Sequence, residues 1–240
     1  MAVRHPFLGA AHACLNTFAE LLRRYPAEKA ITKFSQRIQN KKLDVVSKNA
    51  LRFVTRQADT KKPKEEMLSR VHRAKHMLDS STTQLSNVAP RVFRNKNLVV
   101  HPLSRITTPL LKSAKKIHFI IAKKGALKDI PFAEAHKPLI APSAIENADF
   151  VLIESKAISK KGVIVENGGR MLSMLAKARG IPIYALATSW HVVSENQLAR
   201  NEECIPPEMI SAVVSEHGTY AFRVFLARVQ KAFPWITSSP

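Results

Sequence analysis

The 240-residue sequence predicts an α/β protein: a mainly parallel, Rossmann-like sheet domain over residues 96–240, preceded by an all-α, strongly basic subdomain over residues 1–95. Three observations carry that expectation. From Asn97 onward, short β-branched apolar runs alternate with helical patterns, the order expected of a doubly wound parallel sheet. Before about residue 95 only helical periods recur. Between Ala148 and Trp190 the chain passes from strand to loop to helix to strand, a crossover unit that is right-handed when its strands are parallel.

In the amino-terminal part the helical periods span 10–22, 27–38, 43–56 and 65–85. Pro26, the Asn40-Lys41-Lys42 turn and the Thr60-Lys61-Lys62-Pro63 loop separate them. Met1 to Thr17 holds Arg4 and no acidic residue, as a transit peptide would. However, Leu15, Phe18, Leu21 and Leu22 continue with helical spacing from Gly9-Ala10-Ala11, a pattern that a cleaved leader does not need. A cytoplasmic protein is therefore expected.

Strands are expected at 98–100, 118–122, 138–141, 150–153, 183–187 and 212–215. Ser159 to Gly162 interrupts the chain after the fourth of these. Gly168-Gly169 opens a helix on which Met171, Leu172, Met174, Leu175 and Ala178 mark one face, Lys177 and Arg179 suit the dipole at its end, and Gly180 stops it. Ligands of open parallel sheets sit beyond the strand carboxyl ends, which directs attention to the loops after Ile153 and Thr188. The stretch Phe222 to Trp235, with Phe225, Val229, Phe233 and Trp235, offers apolar area either for pairing with another subunit or for covering the core.

Composition excludes several classes. No apolar run approaches the roughly 18 residues of a membrane span. Cys14 and Cys204 are far apart and belong to no ligand cluster, so no structural zinc is expected, and both read as small core residues in a reducing compartment. Neither GxxxxGK(S/T) nor GxGxxG occurs. His72 and His76 share an i, i+4 face without an acidic partner and read as solvated. The net charge is +20, and residues 1–96 carry 20 Lys and Arg against 7 Asp and Glu. Such a field attracts RNA or the acidic face of a protein, although aromatic residues are sparse there and no dedicated nucleic-acid motif is present.

Three blocks together resemble one family. LVVHPLSRITTPLLKSAKK (98–116) is similar to its first strand, Thr-His loop and following helix, and the block 148–187 to its Gly-Ala-Asp loop and glycine turn. IPPEMISAVVSEHG (205–218) is similar to its carboxyl-terminal Pro-Pro-Glu and Thr-Glu-x-Gly signature. The family comprises the alpha, beta and delta regulatory subunits of translation initiation factor 2B, with ribose-1,5-bisphosphate isomerase and methylthioribose-1-phosphate isomerase. The helix usually found between the first two blocks is shortened around Ala126 to Lys137.

The resemblance implies a site and also its decay. The isomerases place a cysteine after the histidine of the first loop and an aspartate in the Gly-Ala-Asp loop, to move a proton between sugar carbons. Here Pro102 follows His101, and Glu154-Ser155-Lys156 replaces Gly-Ala-Asp, so no catalytic residue is expected. Ser104-Arg105 matches a phosphate-holding pair, and Gly168 keeps the glycine turn, but Val165-Glu166 brings negative charge to it. The degenerate phosphate site thus comprises Gly9, Ala10, His101, Ser104, Arg105, Lys156 and Gly168, with no cofactor and no metal.

The function expected is that of a non-catalytic regulatory or scaffold protein. It would assemble with itself or with related subunits, retain at most a sugar phosphate or nucleotide, and present its basic subdomain to an initiation factor or RNA. Two alternatives stand beside it. One is a phosphorylated-pentose isomerase with relocated catalytic groups; the other is an RNA- or ribosome-associated protein that reuses the fold.

Overall fold

The computed structural model describes residues 9–39, 43–56, 62–104, 107–119, 143–194 and 202–237. Arg105, Lys61, the strand expected at 138–141, the end of the one at 118–122 and the stretch 126–137 lie outside them. The chain divides into two compact units, 1–82 and 83–240.

The helical unit opens with α1 (Gly9–Arg24), α2 (Ala27–Ile38) and α3 (Val45–Thr55), followed by the start of α4 (Pro63–Phe93). Pro26 ends the first helical register and precedes α2, where a proline costs no hydrogen bond. Leu15, Phe18 and Leu22 of α1 are buried with Ala30 and Phe34 of α2, and the rings of Phe18 and Phe34 meet edge-on at 5.2 Å. Asp44 caps α3 by accepting from the Ser47 amide at 2.7 Å. Along α4 the buried positions Met67, Val71, Ala74, Leu78, Thr82, Leu85, Ala89 and Phe93 recur every three or four residues. That stripe carries the helix beyond its expected end and through Pro90. Among the described residues no strand precedes Asn97.

The sheet unit contains β1 (Asn97–His101), β2 (Lys116–Phe119), the short α5 (Ser143–Glu146), β3 (Phe150–Glu154), β4 (Ala157–Ser159) and β5 (Gly162–Glu166). It continues with α6 (Gly169–Ala178), β6 (Ile183–Leu186), β7 (Glu202–Ile205), β8 (Ala212–Ser215), β9 (Gly218–Tyr220), α7 (Phe222–Ala232) and α8 (Pro234–Thr237). Six strands form one sheet in the order β2-β1-β3-β6-β8-β9, parallel except for β9. β3 is buried throughout and β1 from its second residue, as expected of central strands covered on both faces. Asp149 ties the start of β1 to the approach to β3: its carboxylate accepts from the Asn97 amide at 2.7 Å and lies 3.3 Å from Lys96 Nζ. The Asn97 N–H holds the Asp149 pKa below its ordinary value.

Three expectations need correction. The segment after β3 is not a plain loop. It is the hairpin β4-β5, which with β7 forms a separate antiparallel sheet in the order β4-β5-β7. The helix expected after β1 is a single turn, Thr108–Leu111.

Of the five residues on the expected apolar stripe of α6, Leu172 alone is buried. Gly169, Leu172, Ser173 and Ala176 are buried, whereas Met171 and Met174 are 65% and 54% exposed. The cause is a close approach at Gly169, where a Cβ would lie 2.6 Å from Val165 Cγ2. Small residues must face inward along that edge, which turns the methionines outward. The ending at Gly180 is as expected, with φ +68°.

In α7 and α8, Phe225 and Val229 are fully buried and Trp235 is 9% exposed. Trp235 packs against Trp190 with ring centroids 6.0 Å apart. These residues cover the core and are not free for pairing. Among the described residues no helix is long and apolar enough to cross a membrane.

Candidate functional site

The parallel strands β1 and β3 end side by side, with His101 in register with Ile153, so the segments beyond their carboxyl ends converge on one edge of the sheet. His101 is fully buried and joined to Pro102 by a cis peptide bond. Its ring lies on the glycine turn before α6: a Cβ on Gly169 would sit 3.2 Å from His101 Cδ2, and one on Gly168 3.5 Å from Cε1. Nε2 is 3.4 Å from the Glu166 carbonyl oxygen, and Nδ1 is buried without a hydrogen-bond partner among the described residues.

Burial pushes the His101 pKa below its ordinary value of 6.5, against a smaller opposing pull from the Glu166 carbonyl and carboxylate. In the unfolded chain this histidine binds a proton near pH 6.5, and in the fold it does so only at lower pH. Its contribution is complete above that ordinary value, and acidification through the interval below favours unfolding. Stability measured by denaturant titration should fall across that interval, and His101→Asn should flatten the fall. An unchanged slope in the variant would rule out this titration.

Ser104 is buried, and its amide donates to Thr107 Oγ1 at 3.0 Å. Its hydroxyl donates to Glu154 Oε2, and the Glu154 side chain is itself buried at the end of β3. Next to it, Ser155 Oγ is buried without a partner among the described residues. Lys156 turns to the second sheet. Its Nζ lies 3.4 Å from Glu166 Oε1 and 3.4 Å from Glu202 Oε1.

Gly168 takes φ +91° and leads into α6, exposing the amides that bind anions at helix starts. Those amides are occupied. Glu203, from β7, accepts from the Gly168 amide at 3.1 Å and from the Arg170 amide at 3.0 Å with the same oxygen, Oε2. Three carboxylates, Glu166, Glu202 and Glu203, therefore surround the glycine turn, with Lys156 bridging the first two. His101, Lys156 and Gly168 are brought together through Glu166, and Ser104 joins them through the adjoining strand ends. Gly9 and Ala10 are exposed at the start of α1 in the helical unit. Glu202 and Glu203 carry no sequence signal as site residues, because the register of β5 and β7 alone places them here.

A second polar cluster lies beyond β6 and β8. Ser189 donates its amide to Glu216 Oε1 at 2.9 Å, its hydroxyl is 3.0 Å from His217 Nε2, and Glu216 Oε1 is 3.7 Å from that same nitrogen. A nucleophilic triad needs the carboxylate on the other ring nitrogen and an accessible hydroxyl. Ser189 is 1% exposed, so the cluster is a buried lock between loops. Among the described residues no three His, Cys, Asp or Glu side chains are placed so that they could hold a metal ion, and His72 and His76 are exposed.

No family model matches the chain, and no curated protein matches it in sequence. Solved structures do match in fold. Translation initiation factor eIF-2B from Pyrococcus horikoshii OT3 superposes with a TM-score of 0.70 at 14% identity, covering 90% of this chain and 92% of that one. A chain of the tetrameric eIF2B-beta2-delta2 complex from C. thermophilum gives 0.71 at 13% identity, covering 92% and 88%. The 5-methylthioribose 1-phosphate isomerase from Pyrococcus horikoshii OT3 gives 0.63 at 12% identity, covering 93% and 83%. The three sequence blocks and the architecture thus agree, and the chain has the fold shared by these initiation factor subunits and this sugar-phosphate isomerase.

Proposed function

We infer that this protein is a non-catalytic, cytoplasmic regulatory or scaffold subunit of the initiation factor 2B kind, whose sugar-phosphate site is closed by its own side chains. The observation that carries this is Glu203 on the Gly168 and Arg170 amides, where a ligand phosphate would bind. Two further facts support it. Lys156 is engaged by Glu166 and Glu202 instead of acting as a free charge. The position after His101 is Pro102, which cannot carry a proton.

The test is isomerase turnover. Purified protein should not interconvert pentose-phosphate aldoses and ketoses. One observation favours the alternative of relocated catalysis: Glu154 is a buried carboxylate hydrogen-bonded to Ser104 at the strand ends. Turnover that disappears in Glu154→Gln would therefore overturn the non-catalytic reading.

Partners of the same fold suit the remaining surface, in line with the tetrameric assembly of one structural neighbour. Met171 and Met174 on α6 and Val224 on α7 are large apolar side chains left exposed. Sedimentation should reveal a dimer or larger particle that Met171→Glu with Met174→Glu weakens. A strict monomer at high micromolar concentration rejects self-assembly. The basic helical unit is assigned to an initiation factor or RNA, and it is also the feature on which the RNA- or ribosome-associated alternative would rest.

A further inference from the structure

The helical unit contains a cation-lined cavity that takes no part in the site described above. It has a volume of about 230 Å³ and is walled by Arg24 and Tyr25 at the end of α1, Lys33, Gln36 and Arg37 of α2, and Glu20. Lys33 Nζ lies 4.8 Å from the Tyr25 ring centroid and Lys29 Nζ 5.5 Å from it, so one aromatic ring holds two ammonium groups. Among the described residues Arg24, Lys29, Lys33 and Arg37 form no ion pair. Glu20 offsets one charge, which leaves the wall with a clear positive excess.

Lys29, Lys33 and Arg37 follow one another at i, i+4 and i+8, one helical turn apart. Along an α-helix that spacing gives a row of cations about 6 Å apart and about 12 Å long. A single phosphate dianion, as on a phosphopeptide, would satisfy the cavity with Lys33 and Arg37 and leave the Lys29 end of the row unused. A chain of regularly repeated phosphates uses both. The ring of Tyr25 is already engaged by the lysines, so this surface offers charge and no base readout.

We propose that this face of α1 and α2 binds the phosphate backbone of single-stranded RNA without sequence preference. The proposal rests on the polyanion part of the function above and is independent of the loss of catalysis. Single-strand contacts of this kind depend on salt, with a logarithmic slope of about 0.7 per neutralised phosphate and nonspecific dissociation constants of about 1–100 μM.

The test is fluorescence anisotropy of a labelled oligouridylate with the full-length protein over a salt series. Lys29→Glu, Lys33→Glu and Arg37→Glu combined should weaken binding at least about tenfold and lower the slope by about 2. The neutral triple glutamine variant should do the same to a smaller extent, provided that circular dichroism shows it folded. Lys160→Glu with Lys161→Glu, in the sheet unit, should change little. Affinity within about twofold of wild type for both triple variants would overturn the assignment. So would an acidic phosphoserine peptide that displaces the RNA at lower concentration, because the surface would then belong to a protein partner. Either failure leaves the isomerase assay and its outcome untouched.

Discussion

Phe225→Glu is expected to unfold the sheet unit, not to separate subunits. Phe225 is fully buried on the inner face of α7, beside Phe222 and Val229. A carboxylate there must be either desolvated or protonated, and the phenyl contacts are lost as well. Burying an unpaired charge in this way costs about 5 kcal/mol or more, comparable with the whole stability of a domain. The neighbouring Val224 is 46% exposed, and Val224→Glu should stay within about 0.5 kcal/mol of wild type. Parallel thermal melts of the two variants check the pair. A folded, dimer-deficient Phe225→Glu would show that this side chain serves an interface after all.

Gly162→Ala is expected to lower the stability of the same unit by about 3 kcal/mol. Gly162 ends the β4-β5 turn at φ +140°, a conformation that side chains rarely adopt, and a Cβ there would sit 2.1 Å from the Ile205 carbonyl oxygen. That oxygen belongs to the backbone of β7, so relief requires the strand itself to shift. For a unit of this size the melting temperature should fall by about 6–12 °C. Gly9→Ala provides the contrast, since among the described residues a Cβ there would meet no packed neighbour within 4 Å. Equal melting temperatures for Gly162→Ala and wild type would show that β7 yields freely.

The parts of the fold that were legible are those whose pattern is local. The runs at Leu98, Phe150, Ile183 and Ala212 are strands because β-branched side chains fill a sheet buried on both faces, and composition alone records this. The helix stops at Pro26 and Gly180 are equally local. The second sheet was not legible. Glu202, Glu203 and Cys204 have no strand pattern of their own, and they extend because β5 offers them an edge.

The orientation of α6 failed for a related reason. Counting hydrophobic residues favoured the methionines, whereas the side that faces inward was decided by the space beside Val165. At the site, motif positions single out His101, Lys156 and Gly168, and the structure places the first two against Glu166, two residues before the third. The carboxylate that closes the helix start comes from 35 residues further along the chain, and no linear pattern reveals it.

The Glu203 contact has a thermodynamic consequence. A fold that leaves an anion site open is stabilised by whatever free anion reaches it, so its melting point follows ligand concentration by mass action. Here the counter-ion is covalently part of the chain, its effective concentration is fixed by the β5-β7 pairing, and dilution cannot remove it. The melting temperature of the sheet unit should therefore be indifferent to added sugar phosphate, and the conformation of this sheet edge should be the same whatever the metabolic state of its surroundings.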